Sequence, residues 1–282
     1  KEPLLLKEIL GKKINKDLPE KTIICNKHFK YKICATIVAR YNSHRLPGKA
    51  AIKIANIPLI EFLFSRIKKS KLIDKIIFCT TKNKSDDLLV NIAKKNKISV
   101  FRGNEKNVLG RILDATKKIN FDIIIRITGD DILVDIDYMD QAIDFHLENN
   151  LDYTDHKKLP SGTETEVFNR KILDFINKNA IDNSGTEYLT FYINNNEQYF
   201  RTGSAPVQSK HQKKIRLTID NKKDLKFVKP FLEKMKKKRK IENFNIDDIF
   251  AFYEKKTNTQ KNTLKKIIIN TKLKKNSYKN LI

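Results

Sequence analysis

Arg40, Ser43, Arg45 and Lys49 lie within one short stretch, Ala-Arg-Tyr-Asn-Ser-His-Arg-Leu-Pro-Gly-Lys-Ala over 39–50. Guanidinium, ammonium and hydroxyl groups at this spacing can converge on one polyanion, and a triphosphate suits them. Gly48 lets the backbone come close to a ligand and Pro47 stiffens the turn. The stretch follows the apolar, β-branched run Ile-Cys-Ala-Thr-Ile-Val over 33–38, which reads as a strand covered on both faces. The loop is neither a Walker A loop nor a dinucleotide fingerprint, because the glycines those loops need are missing.

Carboxylates complete the set. Ile-Ile-Ile-Arg-Ile-Thr-Gly-Asp-Asp over 123–131 reads as a second buried strand ending in Asp130 and Asp131. Ile-Arg-Leu-Thr-Ile-Asp over 215–220 reads as a third, ending in Asp220. In an open parallel sheet, ligands sit beyond the carboxyl ends of the strands, so the basic loop and both acids are expected in one crevice. Hard oxygen ligands beside phosphates call for Mg²⁺, with Mn²⁺ as a substitute.

The elements that must position these groups alternate between strand and helix, the pattern of a mostly parallel α/β sheet with helices on both faces. A helix is expected over 58–73, from the spacing of Leu59, Phe62, Leu63 and Ile67, followed by a strand over 75–81. Ser85 is expected to cap a helix over 86–95, and a strand over 99–101 precedes a helix over 108–119. Asp135 or Asp137 caps a helix running to Asn149, and a strand over 151–154 follows. The loosened pattern over 157–165 suits a lid or a dimer arm. Helices from 220 through Met235 and over 246–257 are expected to pack outside the sheet.

At 282 residues and 40% hydrophobic content the chain can bury a sizeable core, and no apolar run reaches membrane length. Cys25, Cys34 and Cys79 have no metal-site spacing and read as reduced thiols of a cytoplasmic protein. The net charge of +25 is extreme, but lysines are scattered along every expected helix, and only 234–240 is a basic cluster. Aromatic residues are not interleaved with the basic ones, so no nucleic-acid or membrane partner is expected. The positive field favours capture of anionic substrates.

Collinear segments carry a resemblance: Arg40-Tyr-Asn-Ser-His-Arg-Leu-Pro-Gly-Lys49, Cys79-Thr-Thr81, Val100-Phe-Arg-Gly103, Val108-Leu-Gly-Arg111, Arg126-Ile-Thr-Gly-Asp130, Glu166-Val-Phe168 and Leu217-Thr-Ile-Asp220. From about Ile33 to about Phe231 the chain resembles cytidylyltransferases of the spore-coat polysaccharide (SpsF) type, related to the synthetases of CMP-activated sugar acids. The resemblance implies a Rossmann-like, GT-A-like nucleotidyltransferase architecture, a homodimer, and CTP and an acidic sugar as substrates. It also implies that Arg40, Ser43, Arg45 and Lys49 hold the CTP phosphates, Arg102 and Arg111 lie near the nucleotide, and Asp130 and Asp220 bind Mg²⁺. Thr80 is expected near the base and Glu166 at the substrate, with Arg126 and Arg201 as candidates for the acceptor carboxylate. The group that takes the acceptor's proton is left open. Departures are Asn42 and His44 in the first loop, the absence of a proline soon after Asp130, and Glu187-Tyr-Leu-Thr-Phe-Tyr192 where a Glu-His-Val-Thr-Pro-Tyr segment is usual.

Residues 1–32 stand outside that pattern. Pro3 to Ile24, with its Ile-Leu-Gly-Lys-Lys turn, resembles the last half of the antifreeze-like (SAF) domain that ends sialic acid synthases. This divides the chain into a segment 1–32 and a cytidylyltransferase domain 33–282. It also suggests a fused or associated synthase of a nine-carbon sugar acid, with the activated sugar of the sialic, legionaminic or pseudaminic type.

Overall fold

The computed structural model describes residues 31–43, 45–180 and 189–254. The segment expected to resemble the end of an antifreeze-like domain, Cys25, His44, Glu187 and Tyr188 lie outside them.

Seven strands form one sheet in the order β5-β4-β1-β6-β8-β7-β9. These are β1 (Ile33–Val38), β4 (Lys75–Thr81), β5 (Ser99–Gly103), β6 (Ile123–Thr128), β7 (Tyr153–Asp155), β8 (Glu166–Asn169) and β9 (Thr202–Ser204), while β2 (Lys53–Ile54) and β3 (Ile57–Pro58) make a separate small ribbon. β5, β4, β1 and β6 are parallel neighbours, β8 runs antiparallel to both β6 and β7, and β9 is parallel to β7. Val38 is level with both Cys79 and Thr128, so β1, β4 and β6 end at one rim, as a shared crevice requires.

Helices cover both faces. α1 (Leu59–Ile67), α2 (Asp87–Lys95), α4 (Ile136–Glu148), α7 (Lys222–Lys237) and α8 (Ile246–Tyr253) pack on one side, where Ile33, Ala35 and Ile37 of β1 meet Phe62, Leu89, Ile143, Phe231 and Ile249. α3 (Val108–Thr116), α5 (Arg170–Asn179) and α6 (Leu189–Asn194) cover the other, where Cys34 and Cys79 meet Leu109, Leu173 and Tyr192. Alternation along β1 thus feeds two cores, which is why the strand reads as continuously apolar. Cys34 and Cys79 are fully buried free thiols, and burial pushes the Cys79 thiol up to about 12.

Several expectations are corrected. Ser85 does not cap α2: a 3-10 turn over Lys84–Asp86 precedes the helix, and the Asp86 carboxylate turns inward. The helix expected over 58–73 stops at Ile67, and that over 108–119 ends in a 3-10 turn over Lys117–Ile119. Asp135 rather than Asp137 caps α4, accepting from Tyr138 N at 3.0 Å. The segment 215–220 is no sheet strand; it is extended and touches the loop before it through a single bridge from Ser161 to Arg216. Its amides are instead taken by Ser161 O, for Leu217 and Thr218, and by Asp130 O, for Ile219. The loop 157–165 is accordingly a packed support and not a free arm. Leu159 and Thr163 are buried, and Thr163 O accepts from Asp135 N.

Candidate active site

The basic loop after β1 is a compact turn. Tyr41 O accepts from Ser43 N and Gly48 N, while Leu46 and Ala50 are buried and anchor it to the core. Its entry is fixed by Asp86, whose carboxylate accepts from Tyr41 N at 2.7 Å, Thr80 Oγ1 at 2.7 Å and Thr81 N at 2.9 Å. Burial works to raise the Asp86 carboxyl, but these donors, Thr81 foremost, outweigh it and hold the group below the usual carboxylate range. Asp86 thus ties the loop after β1 to the end of β4.

Asp130 is brought alongside that loop by Gly129. A Cβ on Gly129 would stand 2.5 Å from the Ala39 Cβ, and Gly129 N donates to Val38 O at 2.9 Å. Only glycine allows the two strand ends to approach so closely. Asp220 arrives from the opposite side, because Ile219 N donates to Asp130 O and Asp220 N donates to Asp224.

Lys49 joins the two acids. Its Nζ lies 2.5 Å from Asp130 Oδ2 and 3.3 Å from Asp220 Oδ1, and Arg45 Nη2 lies 2.7 Å from the same Asp220 oxygen. Arg216 pairs with the other Asp220 oxygen and also with Asp224. Burial would raise the Asp220 carboxyl, yet Lys49, then Arg216 and Arg45, hold it below its ordinary value. Beneath this cluster Asp131 accepts from Thr128 Oγ1. Burial first, then the charges of Asp130 and Glu164, push the Asp131 carboxyl well up, and burial raises Glu164 to about 7.

The expected site residues divide into those that meet and those that do not. Arg45, Lys49, Asp130 and Asp220 form one cluster. Arg40 points instead to Glu105, at 2.8 Å, and Asn83 Nδ2 also donates to Glu105, at 2.8 Å. Arg102 holds the carbonyls of Thr81 and Asn83 and pairs with Asp87. Arg111 is buried and donates to Asn104 O, so both arginines brace the rim between β4 and α3. Thr80 is fully buried and spends its hydroxyl on Asp86, so its side chain helps to anchor the loop. Arg126 on β6 pairs with Glu166 on β8 at 2.5 Å, and Glu166 also accepts from Thr190. Arg201 departs from expectation. It grips Asp152 with two nitrogens just before β7, at the opposite end of the sheet from Asp130, so strand direction separates it from the cluster.

Two partners had gone unread. Arg216 shares one side of the extended segment with Thr218 and Asp220, while Ile215, Leu217 and Ile219 take the other, and this alternation was the available signal. Glu105 offers no signal of its own, because its pairing with Arg40 spans 65 positions.

A metal at this point would have two carboxylates to bind. Among the described residues no group of three or more acidic, histidine or cysteine side chains is arranged to hold an ion. The Lys49 ammonium, however, already touches both Asp130 and Asp220, so one cation can contact both. Two carboxylates completed by phosphate oxygens make the hard donor set that Mg²⁺ or Mn²⁺ takes. Among the described residues no helix is long and apolar enough to cross a membrane.

A basic loop and two acids at the rim where β1 and β6 end suit a nucleotidyltransferase. The chain belongs to the cytidylyltransferase family, whose profile matches residues 34–275. Among its relatives, an uncharacterized protein of Methanocaldococcus jannaschii is 37% identical over 225 residues, 79% of this chain and 91% of that protein. The spore coat polysaccharide biosynthesis protein SpsF of Bacillus subtilis is 31% identical over 204 residues, 70% of this chain and 85% of SpsF. A 3-deoxy-manno-octulosonate cytidylyltransferase of Francisella tularensis subsp. novicida is 27% identical over 186 residues, 65% and 68% of the two chains. The solved structure of a cytidylyltransferase from Leptospira borgpetersenii superposes with a TM-score of 0.75 at 30% identity, covering 80% of this chain and 95% of that one.

Proposed function

We propose that the protein transfers CMP from CTP to the anomeric hydroxyl of a 2-keto sugar acid of the nonulosonic class and releases pyrophosphate. The observation that carries this reading is the meeting of Lys49 and Arg45 with Asp130 and Asp220 at the carboxyl ends of β1 and β6. An anionic phosphate chain and a carboxylate-bound cation are both accommodated there. An acidic acceptor is supported by the relative that acts on 3-deoxy-manno-octulosonate. The nine-carbon class is supported by the resemblance of residues 3–24 to the end of a sialic acid synthase, which makes a fused or associated synthase part of the proposal.

In this reaction the acceptor hydroxyl oxygen attacks the α-phosphorus of CTP and gives up its proton, finally to solvent, while the α–β bridging P–O bond breaks and its electron pair leaves on pyrophosphate. The demand on the protein is alignment and charge neutralisation more than covalent chemistry. Ser43, Arg45 and Lys49 grip the outer phosphates and stabilise the departing charge, and Arg40 joins them by exchanging Glu105 for phosphate. Arg102 and Arg111 shape the nucleotide rim, and Thr80 with Asp86 fixes the loop. Arg126 and Glu166 flank the acceptor side, where β6 and β8 lie against each other. Asp130 and Asp220 would hold Mg²⁺, or Mn²⁺, which would neutralise charge at the phosphate under attack. The working unit is proposed to be a homodimer in the cytoplasm.

The test is pyrophosphate release from CTP and Mg²⁺ with a panel of acids. Turnover with nonulosonic acids and none with octulosonate supports the proposed class. Turnover with octulosonate alone moves the chain to the chemistry of its Francisella relative, and no release with any acid rejects the reading.

A further inference from the structure

The carboxylates proposed to receive a divalent cation already carry cations of the chain itself. Lys49 bridges Asp130 and Asp220, Arg45 takes Asp220 Oδ1, and Arg216 takes Asp220 Oδ2. Three cationic groups thus face this pair, and Arg216 is shared with a third carboxylate, Asp224. A free divalent ion approaching this pair has to displace an ammonium that already neutralises it. A triphosphate reverses the balance, because it offers Lys49 and Arg45 new acceptors of several negative charges and so releases the carboxylate oxygens.

The three cations differ in how they are held. Arg45 is two-thirds exposed, with 67% of its side chain accessible, whereas Lys49 is sheltered at 14%. Arg216 is shared between Asp220 and Asp224 at the start of α7, so it stays behind and keeps Asp220 oriented. Lys49 carries a flexible stem and a point charge that can change partners by rotation alone.

We infer that Lys49, seconded by Arg45, is an internal counter-ion that occupies the Asp130–Asp220 pair until nucleotide arrives, so that the divalent cation and the triphosphate load together and not metal first. This rests on the proposed CTP site, and it assigns Lys49 two successive partners: the carboxylates in the empty enzyme and phosphate in the loaded one.

The experiment is titration of Mn²⁺ into the full chain, followed by electron paramagnetic resonance of free Mn²⁺, without nucleotide and then with a CTP analogue carrying a methylene group between the α- and β-phosphorus. Wild-type protein should bind Mn²⁺ alone weakly and bind it at least ~10-fold more tightly with the analogue. Lys49→Met should tighten binding of Mn²⁺ alone by roughly tenfold, the order expected when a unit charge beside two carboxylates is removed. Arg45→Ala should tighten it by about threefold, the size of an exposed ion pair. Arg45 is exposed enough that its loss leaves the fold intact, and thermal melts check Lys49→Met. Unchanged binding of Mn²⁺ alone in both folded variants would overturn the inference, as would wild-type binding of Mn²⁺ alone as tight as in the presence of an analogue shown by calorimetry to bind. If the analogue fails to bind while Lys49→Met still tightens Mn²⁺ alone, the counter-ion role stands and the cytidylyl-transfer reading falls.

Discussion

Replacing His156 should remove a defined part of the protein's sensitivity to acid. The ring is 2% exposed, lies edge-on to Tyr138 at 5.4 Å, and has no hydrogen-bond partner on either nitrogen. Burial alone lowers it to about 4, against about 6.5 for a solvated histidine. The unfolded chain therefore takes up a proton as pH falls below about 6.5, while the native ring stays neutral until about 4. Stability is lost across that window and levels off below it. At pH 5 the difference is about 1.5 units, and at 1.36 kcal/mol per unit this amounts to ~2 kcal/mol. His146, 1% exposed and also lowered to about 4 by burial, adds a loss of similar size. Together they are a large share of the 5–15 kcal/mol typical of a domain. The raised carboxyls of Asp131, Asp135, Asp155 and Glu164 act in the opposite sense, since the native state protonates them first. A direct pH profile therefore mixes both, and the comparison to make is wild type against His156→Leu in urea unfolding at pH 8 and pH 5. The variant should gain ~2 kcal/mol relative to wild type between the two conditions. An equal difference at both values would show that the ring is not held neutral, and would refute the reasoning.

What was legible in the sequence depended on the distance over which each constraint acts. β1 and β4 were read with their observed bounds, and β6 with its observed start although it ends at Thr128 and not at the acids, because an apolar run bounded by polar residues is a local signal. Lys49, Asp130 and Asp220 were read as one site because parallel strands must end at a common rim. Asp220 nevertheless reaches that rim differently, on an extended segment held by Ser161 O and Asp130 O, since its hydrogen-bond partners come from loops far away in the chain. The Ser85 cap failed for a related reason. Asp86 binds Tyr41 N, 45 positions upstream, and a local propensity cannot weigh that demand. Arg201 shows the complementary limit. Residue type made it a carboxylate binder, and it does bind one, but the carboxylate is Asp152 at the far end of the sheet. Nothing local to Arg201 reveals which end of its strand faces the crevice.

The remaining predictions concern the site. Asp130→Asn and Asp220→Asn should each fold normally by circular dichroism yet lower turnover by ~100-fold or more, since a charged group beside the reacting phosphate is lost; near-normal pyrophosphate release in both would remove them from the site. Arg45→Ala should raise KM for CTP and lower kcat together, because a contact to both bound and departing phosphate acts in ground and transition states; a change confined to the acceptor KM would assign the loop to the acceptor. CTP should exceed UTP by roughly 10² in kcat/KM, the discrimination expected of a site whose buried acceptors match the cytosine amine and would face a carbonyl in uracil; equal use of the two in the same assay would sink that preference. Gly162→Ala probes how the loop 157–165 supports Asp220. Gly162 has φ +97°, and a Cβ there would stand 2.3 Å from Thr218 N and 2.7 Å from Leu217 C, both backbone atoms that cannot step aside. Strain of ~1–2 kcal/mol from the left-handed backbone adds to ~1–3 kcal/mol of overpacking, so the melting temperature should fall by several degrees. The methyl wedges against the segment carrying Asp220 while the loop at 39–51 keeps its anchors at Asp86, Leu46 and Ala50. Turnover of the folded variant should therefore fall further than its affinity for CTP measured by calorimetry without metal, and an equal fall in both would show that the loop supports the phosphate grip as well as the acid.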